Sequence, residues 1–311
     1  MTKRFLALAF LWGSSFTFIK VALDGVTPSQ LVLFRLILGA AVLLAIARWR
    51  GIALPGDRVV WGHIVAAAAF GNVIPFLLLS YGEQGTGAGI AGVLVGSTPL
   101  LTLALATVAL PSERVTLRKT AGMIGGFAGV VLIVGPWATG GGSIGGRIAC
   151  FLGALSYAVG FVYVRKFLSP RGLAPMSLAA GQMVAATALQ VVVTPFLAWH
   201  TPHITAAIAG SIAFLGIMST GFAYVLYFRL IAEAGATTAS AVNYVVPLFA
   251  VLISVIVLGE SVTWNLVAGG AVVLVSMAYA ERRWPRRPLA PTRHPVDAVA
   301  RSIADRRIEC T

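Results

Sequence analysis

Ten apolar runs, separated by short polar breaks, leave this chain only one solvent in which to fold. They fall at about Phe5–Leu23, Leu31–Ala47, Val60–Tyr81, Gly87–Leu110, Thr120–Val134, Arg147–Phe167, Met176–Ala198, Ala206–Phe228, Ala236–Leu258 and Trp264–Ala280. A helix needs about 20 apolar residues to cross the hydrocarbon of a bilayer. A backbone group left unpaired there costs several kcal/mol, and no alternating barrel pattern accompanies the runs. The expected fold is therefore an all-α membrane protein of ten transmembrane helices. With 58% of 311 residues hydrophobic and 11% charged, such a chain keeps only short loops and no room for a soluble catalytic domain.

The formal net charge of +13 does not mark a nucleic-acid surface, because the cations sit between apolar runs and in the C-terminal tail. They read as topology signals instead. With the N-terminus in the cytoplasm, every lysine and arginine except Lys20, Arg35 and Arg147 falls on the cytoplasmic side. The expectation is a multi-pass protein of the inner (plasma) membrane with both termini cytoplasmic.

The two halves of the chain repeat one another. Trp12 and Tyr157, Lys20 and Arg165, Arg35 and Gln182, Pro99 and Pro247, Glu113 and Glu260, Gly122 and Gly269 are all separated by 145 to 148 residues. Two copies of a five-helix unit account for this spacing, and an odd number of crossings turns the second copy over. The expected domains are a first repeat over 1–135, an outer loop over 136–146, a second, inverted repeat over 147–280, and a basic cytoplasmic tail over 281–311. Inverted repeats are the architecture of many carriers that work by alternating access.

Several short motifs arrive in a familiar order: Leu11-Trp12-Gly13-Ser14-Ser15-Phe16, Phe34-Arg35-Leu36, Pro99, and Leu258-Gly259-Glu260-Ser261. From about residue 5 to 280 the chain resembles the drug/metabolite transporter superfamily, specifically its EamA-type branch. It departs from the pattern at Ser112-Glu113, where the second repeat has Gly259-Glu260. The resemblance implies ten helices in two inverted repeats around a central cavity. It also implies export of small metabolites such as amino acids, or of drug-like compounds. A scaffold or signalling protein without transport is the alternative from another class.

Candidate pathway residues follow from what polar or aromatic groups do inside a span. Pro99 and Pro247 occupy matching positions in spans four and nine, where they are expected to free the carbonyls of Val95 and Asn243 toward a substrate. Trp12, Ser15, Phe16 and Ile19 share one face of span one, and Tyr157, Tyr163, Tyr227 and Tyr244 offer further amphipathic rings. Each aromatic reads equally as an interfacial anchor or packing residue. Asn72 and Gln182 must face another helix or a wet cavity. Arg35 has three readings: snorkelling to the outer face, pairing with Glu83 or Asp24, or attracting a carboxylate-bearing substrate. Lys20 reads as a snorkelling cation. Glu83 at the outer mouth and His63 at the inner end of span three are the remaining candidates for a proton relay.

The partners expected are a small-molecule substrate and the lipid bilayer, without nucleic acid, for a monomer or weak homodimer. Gly141-Gly142-Ser143-Ile144-Gly145 matches a serine-hydrolase pattern but lacks the strand-turn-helix setting that chemistry needs. No enzyme, cofactor or metal is expected: the histidines and the lone Cys150 and Cys310 have no metal-ligand spacing.

Overall fold

Most helix starts are specified by the residue just before them. Thr27 and Gln30 exchange side-chain bonds to each other's backbone N–H, with Pro28 at the first helical position. Asp57, Thr116, Ser143 and Thr205 each cap a following helix with one side-chain oxygen. Ser143, the serine of the hydrolase-like pattern, spends its hydroxyl oxygen on the N–H of Gly146 at 2.9 Å.

The structure, a computed structural model, describes residues 2–110, 116–135, 143–240 and 242–281. The described chain runs through α1 (Thr2–Ala22), α2 (Pro28–Trp49), α3 (Arg58–Gly85), α4 (Ala88–Ala109), α5 (Leu117–Val134), α6 (Ile144–Arg171), α7 (Pro175–Phe196), α8 (Ala206–Ile231), α9 (Val242–Leu258) and α10 (Trp264–Ala280). Eight of these are long and apolar enough to cross a membrane, while α9 and α10 are shorter apolar helices. Among the described residues there is no strand. Ser112 and Glu113, residues 136–142 of the expected outer loop, and the tail from 282 lie outside the described residues.

Some boundaries differ from those expected. The helix of α8 does not stop before Arg229 but continues to Ser240. Arg229, Leu230, Ile231 and Glu233 form helices readily, Leu230 is buried, and Glu233 pairs with Arg4 of α1. Residues 236–240, expected to open the following span, belong to this helix instead.

The packing relates the two halves. α1 lies against α8 and α9, and α6 lies against α3 and α4. α2 meets α7 and α8, α7 meets α3, and α4 meets α9. α5 and α10 approach through glycines: a Cβ on Gly129 would stand 2.9 Å from the Gly269 carbonyl oxygen, and one on Gly122 2.9 Å from that of Ser276. Replacing each helix by the one five places along maps this set of pairs onto itself. The outward faces carry exposed Val108, Ile124, Ile256 and Val275, apolar surface that is stable only against lipid.

α3 and α8 also share a backbone irregularity. Each contains a π-helical stretch, Ala69–Val73 in α3 and Phe214–Phe222 in α8, starting 145 residues apart as in the sequence repeat. In α3 the cause is Pro75, which has no N–H to give. The N–H of Ile74 reaches back to the Ala69 carbonyl, and the Phe70 carbonyl takes the Ser156 hydroxyl of α6 instead, at 2.8 Å.

Candidate functional site

Between α3 and α8 lies a cavity of about 170 Å³, walled by α1, α2, α3, α4, α6, α8 and α9. α1 contributes Trp12, Ser15, Phe16 and Ile19, successive positions on one helical face. α6 contributes Tyr157, and α8 contributes Ser219, Thr220, Tyr224 and Tyr227. Trp12 and Tyr227 meet with ring centroids 5.6 Å apart, and Phe76 of α3 meets Tyr157 nearly edge-on at 6.3 Å. Asn243 and Val246 close the wall on α9, and Val95 and Thr98 on α4. The lining is mostly apolar and aromatic with a few polar groups, the composition of a small-molecule site.

Arg35 is the one charged residue of this wall. Only 7% of it is exposed, so it does not snorkel to the outer face. Its Nε donates to Thr220 Oγ1 at 2.9 Å, and its guanidinium carbon lies 3.9 Å from the centre of the Phe76 ring. Among the described residues it forms no ion pair, neither with Asp24 nor with Glu83. A cation over a desolvated ring gains about 2 kcal/mol, whereas removing an ion from water costs several. The protein's own contacts leave this charge under-compensated, and the cavity is where its remaining N–H groups find room. Beside it Ser219 Oγ is buried without a partner.

Of the sequence candidates, Trp12, Ser15, Phe16, Ile19, Arg35, Tyr157, Tyr227 and Asn243 line the cavity. Asn72, Glu83, Pro99, Tyr163, Tyr244 and Pro247 do not. Asn72 is fully buried behind the wall, its amide 3.5 Å from the Tyr224 hydroxyl, with Oδ1 unpartnered. Tyr163 bonds His63 Nδ1 at 2.8 Å and packs on Phe167, so those two candidates belong to an aromatic cluster of their own. Tyr244 donates to the Met277 carbonyl of α10 at 3.2 Å.

The two prolines stand in different settings. α4 breaks at Gly96-Ser97, and Pro99 stands in the first turn after the break. The Val95 carbonyl that was expected to be free accepts the Thr98 hydroxyl at 2.6 Å. Pro247 is buried inside the continuous helix α9, where a Cβ on Gly96 would come 2.5 Å from its ring.

Above the cavity, charges are directed at backbone. Lys20 donates to the carbonyls of Glu83 and of Thr86, the latter at 3.0 Å. Glu260 reaches across the molecule to the first amides of α4, Ala88 N–H at 2.7 Å and Gly89 N–H at 3.0 Å. Lys20, Thr86, Gly87 and Glu260 line a second cavity of about 380 Å³. Glu83 is fully buried and neither carboxylate oxygen has a partner.

Phe76, Thr220 and Tyr224 were missed from the sequence. Thr220 had a signal, since Ser219-Thr220 puts two hydroxyls inside an apolar run. Phe76 is indistinguishable by type from any lipid-facing ring. Among the described residues, no group of three or more His, Cys, Asp or Glu side chains is placed to hold a metal ion.

Comparison with known proteins gives consistent matches along the chain. The family model described as the EamA-like transporter family matches twice, over residues 4–135 and 144–280. An uncharacterized transporter of Archaeoglobus fulgidus is 28% identical over 289 residues, spanning 90% of this chain and 99% of that protein. The uncharacterized inner membrane transporter YedA of Escherichia coli K12 is 25% identical over 300 residues, 91% of this chain and 92% of its own. A solved crystal structure shares the fold with a TM-score of 0.65, covering 90% of this chain and 96% of that one at 22% identity.

Proposed function

The chain belongs to the EamA-like transporter family, and on that footing we propose that it is a secondary carrier that exports small amphipathic metabolites, amino acids or their relatives, by alternating access. Membership makes it a multi-pass membrane transporter with a small-molecule substrate. The reading goes further on one observation: an aromatic cavity walled by helices of both halves. Its roughly 170 Å³ fall below the range of about 300–1,000 Å³ of sites that take drug-sized ligands, which favours a metabolite over bulky drugs.

In this proposal ten helices cross the inner membrane as two inverted repeats, over 1–135 and 147–280, with both termini cytoplasmic. The repeats rock against one another around the cavity. Trp12, Phe16, Tyr157 and Tyr227 grip the apolar part of the substrate, Ser15 and Asn243 its polar part. Asn72, Glu83, Tyr163, Tyr244, Pro99 and Pro247 act from behind this wall, on helix positions rather than on substrate.

Counterflow in proteoliposomes, with amino acids and related metabolites loaded in turn, tests the reading. A metabolite that exchanges through the wild type should exchange at least about tenfold more slowly through Trp12→Ala or Tyr227→Ala, the loss expected from removing a large contact surface. Unchanged exchange in both variants would remove the cavity from the pathway. Exchange of bulky drugs but no metabolite would move the function to multidrug efflux.

A further inference from the structure

We propose that the central cavity selects substrates carrying a carboxylate, with Arg35 as the group that receives it. The inference rests on the transport reading for its purpose, but its geometry stands alone. Arg35 is more than nine-tenths buried, lines the cavity, and among the described residues has Thr220 Oγ1 as its single hydrogen-bond partner, on Nε. No described carboxylate pairs with it. Guanidinium keeps its charge inside proteins, so in the absence of ligand its direct contacts are one hydroxyl and the face of Phe76, with the buried Glu83 carboxylate acting on it from beyond ion-pair distance.

The geometry of those two contacts decides which ligand suits the site. Thr220 takes Nε and Phe76 covers one face of the guanidinium plane. The terminal nitrogens at the edge of the fork are then left for a ligand, and a planar fork presented by its edge matches a carboxylate with two parallel N–H donors. The partnerless Ser219 Oγ beside Thr220 supplies a further donor. Trp12 and Tyr227, in tilted ring contact in the same wall, give the rest of the ligand an apolar berth. A short carboxylate with a compact apolar or aromatic body fits both ends. An ammonium group in that position would meet the arginine's own charge, and a neutral amide would leave the charge uncompensated.

Calorimetry on the purified full-length protein tests this with matched ligands: phenylacetate, phenylacetamide and phenethylamine, together with acetate-sized and indole-sized sets of the same three end groups. Within at least one set the acid should bind about tenfold or more tighter than the amide, the difference expected for a hydrogen bond to a charged group, and the amine weakest. Arg35→Gln should bring acid and amide level at an unchanged melting temperature. Arg35→Lys keeps the charge but not the fork, so acids should stay ahead with lower affinity, and it serves if the glutamine variant fails to fold. The proposal is overturned if no acid in any set binds, if the wild type takes amide or amine as readily as acid, or if Arg35→Gln keeps the preference. It is equally overturned if Arg35→Lys folds but loses it. Flux separates this from the transport reading: acids that bind but never cross proteoliposomes leave the anion site standing and end the carrier proposal. Amines and amides crossing as fast as acids would do the reverse.

Discussion

Glu260 shows what a single side chain can do when its partner is far away in sequence. Its carboxylate bonds two amides at the start of α4, where four N–H groups lack helical partners and the helix dipole favours negative charge. Replacing it with alanine should destabilise the folded protein by about 1–2 kcal/mol, read by SDS or urea unfolding in detergent. Glu260→Gln, which keeps one acceptor, should lose about half as much. An alanine variant as stable as wild type would mean that water caps α4 equally well. The motif around Glu260 was legible, but its task was not, because local capping signals stop at neighbouring residues and this cap arrives from 172 residues away. By contrast the face of Trp12, Ser15 and Phe16 was legible because helical spacing alone sets it. Arg35 fell in between: the sequence offered three readings, and burial against Phe76 and Thr220 removed snorkelling to the outer face.

At the scale of the element, helix existence and repeat spacing could be read from hydropathy, while backbone irregularity could not. Attention to paired prolines pointed to spans four and nine, yet the matching π-helical stretches lie in α3 and α8. Only one of these has a proline to announce it, so a search for matching prolines passes over the pair. π-turns concentrate where function needs a displaced side chain, and Phe76 and Tyr224 follow those stretches directly into the cavity wall. Pro75→Ala restores an N–H to α3 and should let it regularise, withdrawing the Phe70 carbonyl from Ser156. The expected outcome is normal membrane insertion, equal or higher thermal stability, and exchange reduced at least about tenfold. Pro99→Ala and Pro247→Ala, which adjust α4 and α9 from outside the wall, should also reduce exchange more than stability, but by less than Pro75→Ala. If flux tracks stability in all three, the prolines serve packing alone.

For the whole molecule, the hydropathy profile located the apolar helices better than it located their ends. The extension of α8 to Ser240 was hidden because Arg229 and Glu233, read as loop residues by charge, also form helix well. The pairwise packing that exchanges the two halves was not legible from either half alone; it emerges from contacts such as α1 with α9 and α4 with α6. The proposed topology predicts that a reporter inserted in the 200–204 loop is periplasmic, while reporters fused to either terminus are cytoplasmic. A cytoplasmic signal from that loop would invert the second half and with it the proposed mechanism.

The clasp over the cavity has a consequence for how such a protein drifts over generations. Lys20 and Glu260 spend their charges on main-chain atoms of residues 83, 86, 88 and 89. Every amino acid brings a carbonyl, and all but proline bring an N–H, so these bonds do not depend on the Glu83 carboxylate or the Thr86 hydroxyl. A residue that lines the second cavity, such as Thr86, can therefore change its side chain while the bond made to its main chain persists.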